Sequence, residues 1–320
     1  MAKTIFVAGS TGGHVYPAIA LAQELPSHSI CFFTTDSRED FRIVSKYKFP
    51  YKAILASSKY LYLLAFFRVM IQFLINRPHK IVATGGGTTS AVLLAAVFLR
   101  IPIYLYEQNS IPGRVTRLFC SWAKQVSISF EESRSYLGKG NIVLTGNPVR
   151  KTFLSDPELD QQLSLLDLSK KTILVFGGSQ GAMAINQFIE NQMGSLLENN
   201  INVIWLTGNR YFKHKGISSR FLVKTQSNGA ILLQLSYTEA MDKLYQVANL
   251  VLCRSGATTI AELIHFQKIA ILVTYPFATD NHQLLNAKSF LKQFEGSLLL
   301  QEKLFNTKLF DLCYRIFNKV

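Results

Sequence analysis

The segment TIFVAGSTGG at residues 4–13 is similar to TILVFGGSQG at residues 172–181, and the two have the same amino acid at five of ten positions. In both segments a run of apolar, strand-forming residues leads into a turn rich in glycine, which tolerates backbone angles that other residues avoid. A buried strand, a glycine-rich turn and a helix form the opening unit of a doubly wound α/β domain. The sequence therefore predicts that such a domain begins twice.

The rest of the chain continues this alternation of β-rich runs with segments of helical apolar spacing. The predicted strands cover residues 4–8, 30–34, 80–84, 103–106, 125–129 and 142–145, then 172–176, 203–206, 230–234, 250–253 and 270–274. Because parallel neighbours need a long crossover, strands that alternate with helices indicate parallel sheets. We predict an α/β protein with two Rossmann-like, doubly wound parallel-sheet domains, residues 1–148 and 149–320, linked by a polar, proline-containing segment at 147–168.

The charge of the chain is strongly unbalanced, because 34 Lys and Arg against 20 Asp and Glu give a net charge of +14. Residues 41–80 hold eight basic residues and no acidic one, interleaved with the apolar run LYLLAFFRVMIQFLI at 61–75. That run contains Arg68 and is shorter than the roughly 20 residues of a membrane span. Either it is a buried helix, or it docks the protein on an anionic membrane surface.

For the docking hypothesis we expect basic side chains to reach lipid headgroups while apolar ones insert. The basic candidates are Lys59, Arg68, Arg77 and Lys80, and the apolar candidates are Leu63, Phe66, Phe67 and Phe73.

The cysteines and histidines indicate neither disulfides nor a metal site. The four cysteines are far apart and lie in apolar surroundings, so we expect buried thiols in a reducing compartment. The six histidines show no metal-ligand spacing, and the N-terminus lacks the apolar core of a signal peptide. We predict a cytoplasmic protein without metal, cofactor or nucleic-acid partner.

Three glycine-rich turns follow predicted strands, at residues 9–14, 85–87 and 177–181. Glycine lets a ligand approach the backbone closely, and the N–H groups of a following helix attract an anion. Each turn alone could be a tight connection with no ligand. The occurrence of two similar turns, with polar Ser179 and Gln180 in the second, favours phosphate binding.

Polar side chains follow other predicted strands, at residues 107–109, 147–150, 254–256 and 279–283. Any one of these patches could be a solvated loop. Because ligands of α/β sheets bind at the carboxyl ends of the strands, their shared position predicts a site in a cleft between the domains.

Six ordered motifs then resemble one known family: TGGH at 11–14, EQN at 107–109, GNPVR at 146–150, GGSQGA at 177–182, CRSGATTIAE at 253–262 and ATDNHQ at 278–283. They closely resemble the MurG family, the membrane-associated N-acetylglucosaminyltransferases of peptidoglycan synthesis. The resemblance runs from Lys3 to about Ala287. It implies a GT-B fold with an interdomain cleft and a peripheral enzyme at the cytoplasmic face of the cell membrane, with other cell-wall or division proteins as further candidate partners.

The resemblance also implies the reaction. GlcNAc would pass from UDP-GlcNAc to the 4-hydroxyl of MurNAc on undecaprenyl-pyrophosphoryl-MurNAc-pentapeptide, with inversion at the anomeric carbon. In this sequence the implied donor-binding residues are Arg150, Ser179, Gln180, Ala257, Thr258, Thr259, Glu262, Asn281, His282 and Gln283. The residues that would close over the sugar and the acceptor are Thr11, Gly12, Gly13, His14 and Asn109.

Within the donor set, Glu262 would bind the ribose hydroxyls and Arg150 would stabilise negative charge. Gln283, with its neighbours, would bind the GlcNAc hydroxyls.

Inversion needs a base that takes the acceptor proton. His14 and Glu107 are both candidates, and the sequence does not separate them. His14 could instead bind a donor phosphate.

Several positions depart from the family pattern. Tyr106 stands where many relatives have His, and the turn at 85–87 lacks the aromatic residue usual after its first two glycines. Lys59 lies in an altered loop, and the chain ends about a helix or two early. Two alternatives stay open: a sugar-nucleotide epimerase of similar two-domain build, which would also use UDP-GlcNAc, and a non-catalytic relative that binds membrane and division proteins, which the short C-terminus favours.

Overall fold

The computed structural model describes residues 4–9, 12–35, 38–55, 62–178, 181–214, 219–301 and 308–318. The chain forms two compact units, Met1–Thr152 and Phe153–Val320. The boundary expected after residue 148 precedes this division by four residues, so Arg150 belongs to the first unit.

The first unit is a seven-stranded sheet with helices between the strands. Its strands are β1 (Thr4–Val7), β2 (Ile30–Thr35), β3 (Tyr51–Leu55), β4 (Lys80–Ala83), β5 (Ile103–Glu107), β6 (Gln125–Ile128) and β7 (Ile142–Leu144). Its helices are α1 (Gly12–Ala22), α2 (Arg38–Lys46), α3 (Tyr62–Ile75), α4 (Ser90–Phe98) and α5 (Arg114–Phe119). The order is β3-β2-β1-β4-β5-β6-β7 and all pairings are parallel, so the winding direction reverses between β1 and β4.

The second unit repeats this plan. Its strands are β8 (Thr172–Phe176), β9 (Asn202–Leu206), β10 (Phe221–Thr225), β11 (Ile231–Leu235), β12 (Leu250–Arg254), β13 (Ala270–Thr274) and β14 (Leu298–Gln301). Its helices are α6 (Pro157–Leu163), α7 (Met183–Glu198), α8 (Asn209–His214), α9 (Met241–Val247), α10 (Ala257–His265), α11 (His282–Leu291) and α12 (Leu309–Phe317). The order β10-β11-β9-β8-β12-β13-β14 reverses between β8 and β12, and the β10–β11 pair is antiparallel.

The central strands are buried, and most of their residues are apolar. Every residue of β8 and β12 is buried. A strand that is buried on both faces reads as a continuous apolar run without alternation. The predicted α/β class and the two doubly wound sheets are confirmed.

Among the described residues, the structure adds three edge strands that the sequence did not predict, and it places a helix inside the predicted linker. The strands β3, β10 and β14 lie at sheet edges, where partial exposure admits polar residues such as Lys52 and Lys224 and weakens the apolar signal. Helix α6 lies inside the predicted linker, where Asp156 caps it by accepting a hydrogen bond from the Leu159 amide (3.2 Å). Pro157 at its first position is pre-organised for a helix.

The expectation of buried thiols is confirmed, since all four cysteines are free and buried.

Candidate functional site

Two glycine turns touch each other at the reversal point of the first sheet, where Gly9 follows β1 and Gly85 and Gly86 follow β4. Gly85 and Gly86 have φ angles of +97° and +95°, which other residues rarely adopt. A Cβ on Gly86 would stand 2.3 Å from the Gly9 Cα, so neither position can carry a side chain. The backbone at the end of β1 is therefore held directly against the backbone at the end of β4.

His14, in the first turn of α1, lies against this pair of turns. Its Nδ1 atom is 2.8 Å from the Thr84 carbonyl oxygen and 3.1 Å from Gln108 Oε1. Both partners are acceptors, so Nδ1 carries the proton and Nε2 of the neutral ring presents a lone pair. The Thr84 hydroxyl also donates to the His14 carbonyl (2.8 Å). The imidazole is thus held in one orientation and one tautomer.

Gln108, the middle residue of the EQN motif, is a site residue that the sequence did not predict. Its Nε2 atom donates to the Tyr106 carbonyl (2.6 Å), which turns Oε1 toward His14. The sequence feature that could have indicated Gln108 is its position between two candidate site residues, Glu107 and Asn109. In a polar triplet that follows a strand, one side chain can orient a neighbouring site residue.

Glu107 is buried, and donors of its own loop surround its carboxylate. Oε1 accepts from the Asn109 amide (3.1 Å), and Oε2 accepts from the Gly113 amide (3.0 Å) and the Thr116 hydroxyl (2.7 Å). These bonds join the end of β5 to the start of α5. The carboxylate therefore shapes the loop that carries Asn109, whose carbonyl also accepts from Ser133 Oγ (2.9 Å).

Arg150 is only 5% exposed and is fixed within the first unit. Its Nη1 atom donates to the Tyr47 hydroxyl (2.7 Å), and its guanidinium lies over the Tyr16 ring, 4.4 Å from the centroid. The following backbone is attached to α1, because Gln23 accepts from the Lys151 amide (3.0 Å) and donates to the carbonyl of residue 152 (2.9 Å).

The remaining expected residues of the first unit are at the start of α1. Gly12 is buried and Gly13 is exposed, while Thr11 lies outside the described residues.

The second unit has a comparable turn between β8 and α7. Gly181 has φ +76°, and a Cβ there would stand 2.3 Å from the Thr207 carbonyl oxygen. A Cβ on Gly177 would stand 2.3 Å from the Ala182 amide nitrogen. Both glycines are therefore required by close backbone approach at the sheet's reversal point. Ser179 and Gln180 lie outside the described residues.

Glu262 lies in α10, which follows β12 on the other side of the same reversal point. It is 6% exposed, and its Oε2 atom accepts from the Tyr245 hydroxyl (3.0 Å). Tyr245 is fully buried and stacks on Phe266 with 5.0 Å between ring centroids. Burial raises the pKa of the neighbouring Cys253 thiol, and the negative charge of Glu262 raises it further.

The start of α10 holds three more expected residues. Ala257 is buried there, and Thr258 and Thr259 are half-buried.

The ATDNHQ segment joins β13 to α11 through a strained turn. Asp280 and Asn281 have left-handed φ angles of 53° and 54°, and α11 begins at His282. Gln283 Oε1 accepts from the Tyr275 amide (3.0 Å), and its carbonyl accepts from Ser255 Oγ (2.8 Å). Left-handed non-glycine residues cluster at functional sites. The Ser255 bond fastens the ATDNHQ turn to the loop that opens α10, and the Tyr275 bond holds it to the end of β13.

Each unit thus brings its own set of expected residues to the carboxyl ends of its strands. His14 and Asn109 follow β1 and β5 in the first sheet, with Gln108 added by the structure. In the second sheet, Glu262 and Gln283 follow β12 and β13. Tyr245, the partner of Glu262, gave no sequence signal, because a buried tyrosine in α9 resembles any other core residue.

Comparison with known proteins agrees with this geometry. Residues 4–128 match the glycosyltransferase family 28 N-terminal domain, and residues 172–319 match the glycosyltransferase family 28 C-terminal domain. Curated relatives from Flavobacterium psychrophilum and Chlorobaculum tepidum are named UDP-N-acetylglucosamine--N-acetylmuramyl-(pentapeptide) pyrophosphoryl-undecaprenol N-acetylglucosamine transferase. The Flavobacterium protein is 32% identical, and the match covers 94% of this chain and 84% of that protein. The Chlorobaculum protein is 34% identical, and the match covers 97% of this chain and 89% of that protein.

The chain belongs to the MurG family. The crystal structure of Acinetobacter baumannii MurG matches 99% of this chain and 92% of its own with a TM-score of 0.70 at 23% identity. The glycosyltransferase SnogD from Streptomyces nogalater matches with a TM-score of 0.67 at 12% identity, covering 98% of this chain and 93% of its own. Both structures show the shared GT-B fold, and the resemblance of the six motifs to the MurG family is confirmed.

Proposed function

We propose that the protein is an inverting glycosyltransferase that moves GlcNAc from UDP-GlcNAc to the 4-hydroxyl of MurNAc on undecaprenyl-pyrophosphoryl-MurNAc-pentapeptide. The similarity to relatives that carry this activity in their names supports the proposal. The observation that carries its chemistry is the imidazole of His14, whose Nδ1 faces two acceptors so that Nε2 can receive a proton.

His14 is the general base of this proposal. The acceptor oxygen bonds to the anomeric carbon, the bond from that carbon to the UDP oxygen breaks, and UDP leaves with the electron pair. His14 Nε2 takes the proton of the acceptor hydroxyl. The Thr84 carbonyl and Gln108 Oε1 accept from Nδ1–H and stabilise the positive charge that the ring gains.

Glu107 takes a positioning role rather than that of the base. Its two oxygens accept three hydrogen bonds, from the Asn109 and Gly113 amides and the Thr116 hydroxyl, and these bonds hold the carboxylate against the β5–α5 connection. It holds Asn109 for contact with the sugar or the acceptor, together with Thr11, Gly12 and Gly13.

The second unit binds the donor in this proposal. The Glu262 carboxylate accepts from the ribose hydroxyls, and Tyr245 prevents it from rotating away. Backbone N–H groups after Gly181 and at the start of α10 stabilise the diphosphate. Further donor contacts in this unit come from Ser179, Gln180, Ala257, Thr258, Thr259, Asn281, His282 and Gln283. Arg150, a residue of the first unit, would stabilise negative charge on the donor.

The test is turnover with the purified protein, UDP-GlcNAc and the lipid-linked acceptor, followed by UDP release and product analysis. We expect UDP release only when the acceptor is present. Conversion of UDP-GlcNAc without acceptor would support the epimerase alternative, and no conversion under either condition would support the non-catalytic one.

We further propose that the protein docks peripherally at the cytoplasmic face of the cell membrane. Within the described ranges, no helix combines the length and the apolar character that crossing a bilayer requires. The helices α3 and α4 expose an apolar surface, here called the α3–α4 surface, formed by Leu63, Leu64, Phe67, Ile71, Leu74, Ile75, Leu94 and Phe98. Arg68 is exposed on the same helix.

The expected role of Phe73 in this surface is wrong. Phe73 is 1% exposed and stacks on Phe33 of β2, with 5.8 Å between ring centroids. It shares one helix face with the buried Ala65 and Val69, at spacings of four residues, and that face packs on the sheet.

Two of the expected basic residues are held by the protein itself. The Lys80 ammonium lies over the Tyr104 ring (5.6 Å to the centroid), and Arg77 donates to the Leu99 carbonyl (2.7 Å). Phe66 is half-buried, and Lys59 lies outside the described residues.

A further inference from the structure

Tyr245, the buried partner of Glu262, contacts two positions one turn apart along α10. Its hydroxyl donates to Glu262 Oε2 (3.0 Å), and its ring stacks on Phe266, with 5.0 Å between the ring centroids and 18° between the ring planes. Phe266 directly follows α10, and its amide donates to the Glu262 carbonyl (2.9 Å), so the two side chains lie on the same helix face. The stack on Phe266 therefore determines where the Tyr245 hydroxyl points.

The direction of that hydroxyl matters because Glu262 is buried. A carboxylate that is only 6% exposed needs hydrogen-bond donors at fixed places, since an unsatisfied buried charge is costly. A shift of the Tyr245 ring would displace one of these donors. The carboxylate would then lose the orientation in which it can accept from a ribose hydroxyl.

Phe266 is itself held by a ring from a distant part of the chain. It is half-buried, and the Phe153 ring lies against it, with 6.0 Å between the ring centroids and 58° between the ring planes. Centroid separations of about 4.5–7 Å are typical of favourable aromatic pairs. Phe153, Phe266 and Tyr245 thus form a continuous row of rings that ends at the Glu262 carboxylate.

The backbone that carries Phe153 is also fixed to the start of α9. Asp156, three residues after Phe153, accepts a hydrogen bond from the Thr238 hydroxyl (2.9 Å). The Thr238 oxygen accepts from the amide of Ala240, the residue before α9 begins (3.1 Å). This short segment before α6 therefore contacts α9 through Asp156 and the ring that follows α10 through Phe153.

We infer that Phe153 is a positioning residue for donor binding. Its ring supports Phe266, Phe266 supports Tyr245, and Tyr245 holds the Glu262 carboxylate in the orientation that accepts from the ribose hydroxyls. The inference rests on the proposed function, which assigns the ribose contact to Glu262. Phe153 lies outside all six sequence motifs, and it is the first residue of the second unit.

The first test is the affinity for UDP, measured by calorimetry so that no acceptor is needed. Loss of one favourable aromatic pair corresponds to a change of about two- to tenfold in affinity. We expect Phe153→Ala to weaken UDP binding by this factor. Phe153→Leu keeps part of the apolar contact and should weaken it less. An unchanged UDP affinity in Phe153→Ala would overturn the inference.

Phe310→Ala is the matched control. Phe310 is also a half-buried phenylalanine of the second unit, and its ring pairs with that of Tyr314 at 5.9 Å. Both rings belong to α12, which carries none of the expected donor-binding residues. We expect Phe310→Ala to lower the Tm while leaving the UDP affinity unchanged. Equal losses of UDP affinity in Phe310→Ala and Phe153→Ala would indicate a general loss of stability and would overturn the inference.

A double-mutant cycle with Tyr245→Phe tests whether Phe153 acts through the Tyr245 hydroxyl. Tyr245→Phe keeps the ring but has no hydroxyl to position. We therefore expect Phe153→Ala to cause no further loss of UDP affinity in the Tyr245→Phe background. The same loss in both backgrounds would mean that the Phe153 ring acts independently of this hydroxyl, which contradicts a positioning role.

Steady-state kinetics separate this inference from the proposed function. In Phe153→Ala we expect the KM for UDP-GlcNAc to rise, with kcat and the KM for the lipid acceptor unchanged. An equal rise in both KM values would overturn the inference. Turnover by wild type decides the proposed function: a wild-type protein that binds UDP but transfers no sugar would refute the proposed reaction, while the UDP affinities of the variants would still decide the role of Phe153.

Discussion

At the scale of single residues, the proposed chemistry depends on the tautomer of His14. We expect His14→Ala to lower kcat by about 100-fold or more, the usual contribution of a general base, with little change in the KM for UDP-GlcNAc. His28→Ala is the control. His28 is exposed, it lies after the end of α1, and no hydrogen bond joins it to an expected site residue within the described ranges. A parallel fall in donor affinity would show that His14 binds the donor instead.

Gln108 gives a second residue-level test, because it acts only through His14. We expect Gln108→Leu to lower kcat about tenfold without changing the KM for UDP-GlcNAc, since the ring loses one of the two acceptors that orient it. Nitrogen chemical shifts of the imidazole should show the Nδ1-protonated form in wild type and a mixed population in the variant. An unchanged tautomer together with a lower kcat would contradict this role.

Donor binding is tested at Glu262. Glu262→Ala would leave ribose hydroxyls without a partner, at about 1–3 kcal/mol, and should weaken UDP-GlcNAc binding about tenfold or more by calorimetry. Tyr245→Phe keeps the buried ring but removes the bond to the carboxylate, so we expect a smaller loss. Normal donor binding by Glu262→Ala would rule out the ribose contact.

At the scale of elements, two glycines can be compared. Gly181, in the turn before α7, is required by its backbone conformation, whereas Gly194, inside α7, only lowers the helix propensity. Gly181→Ala would force a side chain against the Thr207 carbonyl at a left-handed φ, so we expect lower stability and weaker donor binding. Gly194→Ala lies within α7, where a Cβ meets no atom within 4 Å, and should stabilise by about 0.5–1 kcal/mol. Thermal unfolding of both variants checks the contrast, and equal Tm changes would contradict it.

Helix α6 depends on a network around Asp156. Burial raises the pKa of Asp156, but bonds from Arg220, the Leu159 amide and the Thr238 hydroxyl outweigh burial and leave this pKa below its usual value. Because the pKa of Asp156 is lower in the folded state than in the unfolded state, the ionised carboxylate stabilises the protein at pH values above the unfolded-state pKa of about 3.8. This stabilisation is lost as the pH falls through the folded-state pKa.

We therefore expect Asp156→Asn to destabilise the second unit by about 1–3 kcal/mol at pH 7 and by much less near pH 3. The measurement is denaturant unfolding at both pH values. Asp160→Asn is the control, because Asp160 is exposed and its pair with Lys243 spans 3.3 Å on the surface. A loss for Asp156→Asn that is the same at both pH values would contradict the ionic role.

The elements also show how far the sequence could lead. The central strands were predictable because burial on both faces favours unbroken apolar runs, such as ILVF in β8 and LVLC in β12. The edge strand β10 was not, since FLVKT is only partly buried and pairs antiparallel to β11. In the site, His14 and Glu262 could be found from motifs. Tyr245 could not, because a hydrogen bond between distant segments leaves no local pattern, and for Gln108 the EQN motif marks the position but not its bond to His14.

At the scale of the whole molecule, the net charge of +14 and the α3–α4 surface act together. Apolar insertion is independent of lipid charge, whereas attraction of basic residues to anionic lipid is screened by salt. We expect Phe67→Ser to weaken binding to neutral and anionic vesicles alike, and Arg68→Gln to weaken only the salt-sensitive binding to anionic ones. Leu168→Ser, at an exposed apolar residue of the second unit, is the control. Equal binding to both vesicle types at all salt concentrations would contradict the electrostatic part.

Because all four cysteines are buried, the native chain has no accessible thiol that would compete with an introduced cysteine for a labelling reagent. Burial raises the pKa of each thiol, so none supplies an accessible thiolate at neutral pH. A single cysteine introduced at an exposed position, such as Leu63→Cys on α3, would react alone with a maleimide dye. A polarity-sensitive fluorophore at that position would then report in real time, with all four native cysteines kept, when the protein leaves water for lipid.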